Sequence, residues 1–300
     1  MQTKPLWAHW LETTRPKTLF AALAPVSIGG AMALASGTFD GRIWLCTLLI
    51  AVLVQIGTNF CNDVFDHRQG ADTPERQGPL RGLHSGRISF RAMVIATVLC
   101  FVGVALLSGL LIRHGGAPVF WLAAASIFCG IFYTAGRYSL AYTGLADVFV
   151  LVFFGPVAVA GTYFLQIPAG GWPPLEVYVA GLAPGLIATG LLTVNNLRDV
   201  DEDRRNDKRT LAVRFGPGFS RFEYTCCLMG ALLSSVMTVL IAGRGWGILV
   251  VWVMFPLMLK LIKKVQTGRT GADLNPVLGK TGAMLLLYAV LFVLTWPWGS

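Results

Sequence analysis

The chain has 300 residues, 55% of them hydrophobic and only 13% charged, against about 25% charged in an ordinary globular protein. Its formal net charge is +9, and nine runs free of Asp, Glu, Lys and Arg take up 189 of the 300 positions. A helix needs about 20 apolar residues to cross a bilayer core, so these values exclude a soluble enzyme, a disordered chain and a secreted disulfide scaffold.

In chain order, Pro5–Trp10 brings two Trp residues and a His ahead of the first run, which reads as an interfacial anchor helix. The segment lacks the layout of a signal peptide. The charge-free runs follow: Thr18–Phe39, Ile43–Asn62, Ala92–Ile112, Gly115–Gly136, Val148–Leu175, Val177–Leu197, Tyr224–Gly243, Gly245–Leu259 and Thr281–Ser300. Backbone groups in lipid must be satisfied within each segment. The expected fold is therefore all-α, a polytopic membrane protein of nine transmembrane helices around a central cavity. With nine spans the loops alternate sides, and 21 of the 24 basic residues fall on the side of the N-terminus. Short loops rich in Lys and Arg stay cytoplasmic, so the N-terminus is expected inside and the C-terminus outside. The positive charge is a topology signal first and an attraction to anionic lipid second; it does not indicate nucleic-acid binding. Cys46, Cys61, Cys100, Cys129, Cys226 and Cys227 show no metal-binding spacing and read as small core residues. Residues 1–300 form one integral-membrane domain. Its longest polar stretches are the cytoplasmic loops 63–91 and 198–221.

Those two loops hold the chemistry. The second run leads into Asn62-Asp63-Val-Phe-Asp66, and the sixth into Asn195-Asn-Leu-Arg-Asp199-Val-Asp-Glu-Asp203. Residues four apart share a helix face, so each segment offers a column of oxygen donors at the cytoplasmic mouth. Acids at a helix C-terminus oppose the macrodipole and repel one another. Such a local conflict marks a functional site, and a hard divalent cation relieves it. Oxygen donors without His or Cys fit Mg2+, which takes one or two carboxylates together with substrate phosphate oxygens. Basic residues stand near both clusters: Arg76 and Arg81 after the first, Lys208 and Arg209 after the second, and Arg137 between Tyr133 and Tyr138. They are candidate diphosphate donors. Acid pairs, Mg2+ and a diphosphate in an apolar, aromatic-rich bundle point to a polyprenyl diphosphate substrate. Aromatic faces would hold its tail and stabilise the allylic cation.

The two Asp-rich segments resemble those of the UbiA superfamily of intramembrane aromatic prenyltransferases. The finer resemblance is to the branch that prenylates 1,4-dihydroxy-2-naphthoate in menaquinone synthesis. It rests on Arg15-Pro-Lys-Thr-Leu19, Asn62-Asp-Val-Phe-Asp66, Gly78-Pro-Leu-Arg81-Gly, Tyr133-Thr134, Tyr142-x-Gly-Leu-x-Asp147, Phe153-Phe-Gly-Pro, Asn195-Asn-Leu-Arg-Asp199 and Lys208-Arg-Thr-Leu. The resemblance implies nine helices around a cavity open sideways to the bilayer of the cell inner membrane, with the active site facing the cytoplasm. It implies Mg2+ held by Asn62, Asp66, Asn195, Asp199 and Asp203, with Asp66, Asp199 and Asp203 as the catalytic residues. It further implies that the naphthoate ring attacks at the carbon bearing its carboxylate, releasing carbon dioxide and diphosphate and giving demethylmenaquinone. Asp63, Asp72, Lys17 and Tyr133 are further site candidates, Asp72 or Asp203 for the naphthol proton and Lys17 or Arg81 for the acceptor carboxylate. Gly70 stands where many members of the superfamily have a third Asp, and Asp207 where the branch has Gly. Two alternatives stand beside this expectation. One is the same chemistry on 4-hydroxybenzoate, haem, a chlorophyllide or a glycerol-phosphate lipid; the other is a cation-coupled transporter. Against the transporter, the charge-free runs leave every acidic cluster at the cytoplasmic rim rather than near the midplane.

Overall fold

A computed structural model describes residues 5–68, 83, 86–136, 139–168, 171–268 and 270–298. Among them every regular element is helical. Helix α1 (Leu6–Thr13) sets Trp10 edge-on against Phe60 at 5.6 Å and turns Leu6, Trp7 and Leu11 outward. The long helices α2 (Pro16–Ala35), α3 (Gly41–Arg68) and α4 (Phe90–Gly115) follow, then α5 (Ala117–Phe132) and the single turn α6 (Leu140–Thr143). Next come α7 (Ala146–Phe164), α8 (Leu175–Arg198), the short α9 (Val200–Arg205) and α10 (Leu211–Ala242). A 3-10 segment, Trp246–Met254, runs into α11 (Phe255–Thr267), and α12 (Asn275–Thr295) completes the bundle.

Among the described residues, seven helices are long and apolar enough to cross a membrane, against the nine expected. The fourth charge-free run folds as only 16 helical residues, about 24 Å at 1.5 Å per residue. Gly116, with a positive φ of 69°, separates it from α4, and Pro118 lies in its first turn. The eighth run divides at Met254, with Pro256 in the first turn of the α-helix that follows.

Helix α8 is the hub, in contact with α10, α12, α2 and α7. Its small residues explain how. A Cβ on Gly155 would lie 2.6 Å from the Gly181 carbonyl and 3.0 Å from the Gly185 Cα. The Gly181-x-x-x-Gly185 spacing thus lets the α7 backbone rest directly on α8, the usual role of small residues between membrane helices. At that contact α7 carries a π-helical turn, Phe153–Val157, containing Pro156 and a non-helical Gly155. Such a bulge re-aims side chains, and Phe153 and Phe154 line the cavity described next.

Candidate active site

A cavity of about 390 Å³ lies among α2, α3, α4, α5, α7, α8 and α9. One part of its wall is polar, carrying Asn62, Asp66, Asn195, Asp199, Asp203 and Lys208; much of the rest is aliphatic and aromatic.

On α3, regular helix continues through the first acidic segment to Arg68, so Asn62 and Asp66 do share a face. Asn62 Oδ1 accepts a hydrogen bond from the Thr134 hydroxyl beyond the end of α5. Asp63 turns away from the cavity and pairs with Arg15, whose Nη2 donates to Oδ1 at 2.6 Å. Arg15 holds a left-handed backbone (φ 53) just before α2, a strained state for a residue with a Cβ. The Asp63 pair and the neighbouring bonds from Asn59 Nδ2 to the Thr14 carbonyl (3.0 Å) and the Thr18 hydroxyl (3.2 Å) tie the start of α2 to α3.

The second segment is built differently. Helix α8 ends at Arg198, Asp199 is the hinge, and α9 restarts at Val200. The Asp203 N–H still donates to the Asp199 carbonyl at 2.8 Å, which preserves the four-residue column across the break. Buried Arg198 grips Asp199 with two parallel bonds, Nε to Oδ1 at 2.7 Å and Nη2 to Oδ2 at 2.6 Å. The same Nη2 donates to Asn195 Oδ1 at 2.8 Å, and Nη1 reaches Asn275 at 3.0 Å. This fork–fork geometry is specific to arginine.

Lys208 bridges the two segments. Its Nζ stands 3.8 Å from Asp66 Oδ1 and 4.0 Å from Asp203 Oδ1, and 5.3 Å above the Tyr142 ring. Burial pushes the Asp203 carboxyl up to about 7; Lys208 pulls it back, while Asp199, Glu202 and Asp66 raise it further.

The donor set fits a hard cation. It is all oxygen, neighbouring acids add to the rise of the Asp203 carboxyl, and Glu202, also on the cavity wall, has a buried Oε2 without a hydrogen-bond partner among the described residues. Among the described residues no three acidic, His or Cys side chains converge on one point.

Other expected residues are dispersed. Tyr133 lines the cavity, its ring 6.4 Å from Phe149, which stacks on Phe153 at 4.2 Å. Lys17 is exposed with its Nζ beside Gly279 of α12, and Arg209 is exposed while its N–H donates to the Tyr142 carbonyl. Neither lines the cavity. Asp72, Arg76, Arg81 and Arg137 lie outside the described residues.

Sequence reasoning passed over three groups. In the sequence Arg198 is one basic residue among many on the N-terminal side, although its place within Asn195-x-x-Arg198-Asp199 is the signal that reveals it. Glu202 was one acid among several. Asp147 fell just before a charge-free run that begins at Val148, but α7 begins at Ala146 and carries Asp147 into the bundle.

Residues 22–273 match the model of the UbiA prenyltransferase family. Among curated proteins the chain is 38% identical to 1,4-dihydroxy-2-naphthoate octaprenyltransferase of Escherichia coli, over 95% of this chain and 94% of that protein. It is 36% identical to the protein of the same name from Mycobacterium tuberculosis, over 95% of each. Among solved structures it resembles a UbiA homolog from Archaeoglobus fulgidus bound to GPP and Mg2+, with TM-score 0.62 and 16% identity over 95% of this chain and 99% of that one. A UbiA homolog from Aeropyrum pernix K1 superposes with TM-score 0.69 at 16% identity, over 91% and 96%. By its family match and these full-length similarities, the chain belongs to the UbiA prenyltransferase family.

Proposed function

We propose that this protein transfers a polyprenyl group from a polyprenyl diphosphate to 1,4-dihydroxy-2-naphthoate, with loss of carbon dioxide and diphosphate, giving demethylmenaquinone. The observation that carries this reading is the similarity, over nearly the whole chain, to 1,4-dihydroxy-2-naphthoate octaprenyltransferases. The cavity supports it, with a polar wall suited to a diphosphate and an apolar, aromatic remainder suited to an isoprenoid.

In this reading Asn62, Asp66, Asn195, Asp199 and Asp203 hold Mg2+. When bound, the ion supplies Lewis-acid stabilisation of the departing diphosphate. Arg198 keeps Asp199 and Asn195 aimed before substrate arrives. Lys208, between the two acidic segments, neutralises diphosphate oxygens, and Arg76, Arg81, Arg137 and Arg209 assist from the neighbouring loops. Phe149 and Phe153, both lining the cavity, would supply ring quadrupoles to an allylic cation.

The spanning pattern is proposed as nine crossings of the cell inner membrane, with the N-terminus and the active site cytoplasmic. The 3-10 segment adds about 18 Å at 2.0 Å per residue to the roughly 20 Å of α11, which supports an eighth crossing there.

Membranes incubated with a labelled prenyl diphosphate, Mg2+ and a panel of acceptors test the proposal. Prenylated naphthoquinol formed with stoichiometric carbon dioxide is the expected result. Transfer to 4-hydroxybenzoate or a glycerol-phosphate lipid without transfer to the naphthoate overturns it. Substrate-dependent flux into sealed vesicles without a prenylated product points instead to transport.

A further inference from the structure

Asp147 is a buried acid that the metal and diphosphate chemistry does not use. Only 3% of its surface is exposed, yet it lines the cavity, and Val150 and Phe154 on the same face of α7 line it too. Neither Oδ1 nor Oδ2 has a hydrogen-bond partner among the described residues. The other acids of the cavity differ: Asp66 and Asp203 face Lys208, Asp199 is gripped by Arg198, and in Glu202 only Oε2 is buried without a hydrogen-bond partner among the described residues. Glu223 of α10 interacts with Asp147 electrostatically but does not reach the cavity wall. A buried polar group without a partner is costly in either protonation state. An ionised carboxylate has at most its own backbone N–H as a donor, and a protonated one lacks an acceptor for its O–H. A ligand entering the cavity is the partner that completes it. The Tyr133, Phe149 and Phe153 rings offer flat aromatic surface in the same cavity.

We propose that Asp147 receives the aromatic acceptor, its carboxylate accepting a hydrogen bond from the ring hydroxyl beside the acceptor's own carboxylate and taking that proton as the ring attacks. The inference rests on the naphthoate reading above and adds the residue that activates the acceptor. The step balances. The ring carbon bearing the carboxylate bonds to the prenyl carbon, and the prenyl carbon–oxygen bond breaks with its electron pair leaving on diphosphate. The hydroxyl proton passes to Asp147, leaving a ketone next to the carboxylate. Carbon dioxide then departs, and its bonding pair returns through the ketone to restore the aromatic ring as a phenolate. Asp147 returns the proton to that oxygen, so the residue ends as it began. The three-residue spacing of Asp147, Val150 and the cavity-lining Phe153 keeps acid and aromatic surface on one helix, which favours a planar phenol over an aliphatic alcohol.

The test compares wild type with Asp147→Asn, which keeps the shape and an acceptor oxygen but cannot take a proton. With the naphthoate acceptor, kcat is expected to fall about 100-fold or more, while Mg2+-dependent binding of the prenyl diphosphate to the purified protein stays unchanged. A misfolded variant would lose both. An Asp147→Asn enzyme within threefold of wild-type kcat overturns the inference and leaves the functional reading intact. A wild-type protein that does not prenylate the naphthoate overturns the reading, and the inference with it. Independently of any variant, wild type is expected to bind the acceptor methylated at that hydroxyl at least about tenfold more weakly, one lost hydrogen bond to a charged group. Equal affinity for the methyl ether and the parent overturns the inference.

Discussion

At the first acidic segment α3 runs unbroken through Asn62 and Asp66, on a helix whose apolar stretch is only 22% buried. At the second, the apolar stretch of α8 is 72% buried and the helix ends at Arg198, so that Asp199 lies on a hinge between two helices. The same Asn-then-Asp spacing is therefore held by two different means. The first segment relies on regular helix and on bonds from outside, Thr134 to Asn62 and Arg15 to Asp63. The second cannot rely on helix continuity and uses one buried arginine to fix Asn195 and Asp199 together. A donor on a regular helix needs little support, whereas a donor on a hinge needs a clamp.

The largest effects fall on the donors themselves. Asp66→Ala and Asp199→Ala are each expected to lower Mg2+-dependent prenyl transfer in membranes by at least about 100-fold, with protein levels unchanged. If either retains near-normal turnover, the shared role of the two segments is wrong. The clamp comes next. Arg198→Lys keeps the charge but loses the fork, so the Mg2+ concentration for half-maximal rate should rise about 10- to 100-fold. Thr134→Val at the helical segment should shift it only a few-fold, because α3 still aims Asn62. Equal shifts from the two variants would remove the contrast between hinge and helix.

The pH dependence follows from Asp203, whose carboxyl is raised to about 7 by burial and by its acidic neighbours. Below that value a cation must displace a proton, so apparent Mg2+ affinity should rise up to about tenfold per pH unit as pH approaches 7 and level off above it. The same shift makes ionised Asp203 a burden on the metal-free fold. Stability it contributes is present below the unfolded carboxyl value and lost as pH rises through about 7. Mg2+ titrations and thermal unfolding at pH 6, 7 and 8 measure both; flat curves would place Asp203 outside the cation site. The smallest effect concerns Gly185→Ala, where α7 rests on α8. A lower melting temperature with modest change in turnover is expected, since the added methyl meets backbone.

Much of this architecture was legible in one dimension. Charge-free runs locate helices because lipid excludes unpaired charge and unsatisfied backbone alike. The Asn62/Asp66 and Asn195/Asp199/Asp203 spacings are visible because a helix converts a step of four into adjacency. The same method blurred wherever its premise failed. Length alone did not reveal that the fourth run holds only a 16-residue helix or that the eighth divides at Met254 between a 3-10 segment and an α-helix. Ending each span at its first charge put Asp147 and Glu223 in loops, although both belong to long helices.

Charge scarcity in the sequence by itself determined that the chain is a helical membrane protein, and its repeated spacing singled out two acidic helix ends. Only the tertiary structure decided which charges meet: Arg15 with Asp63, Arg198 with Asp199, Lys208 between Asp66 and Asp203. It also left the Asp147 carboxylate on the cavity wall without a hydrogen-bond partner on any other described residue. The physical reason is range. Hydropathy and helical periodicity act along a few neighbouring residues, whereas ion pairs and cavities form between helices that the chain joins far apart.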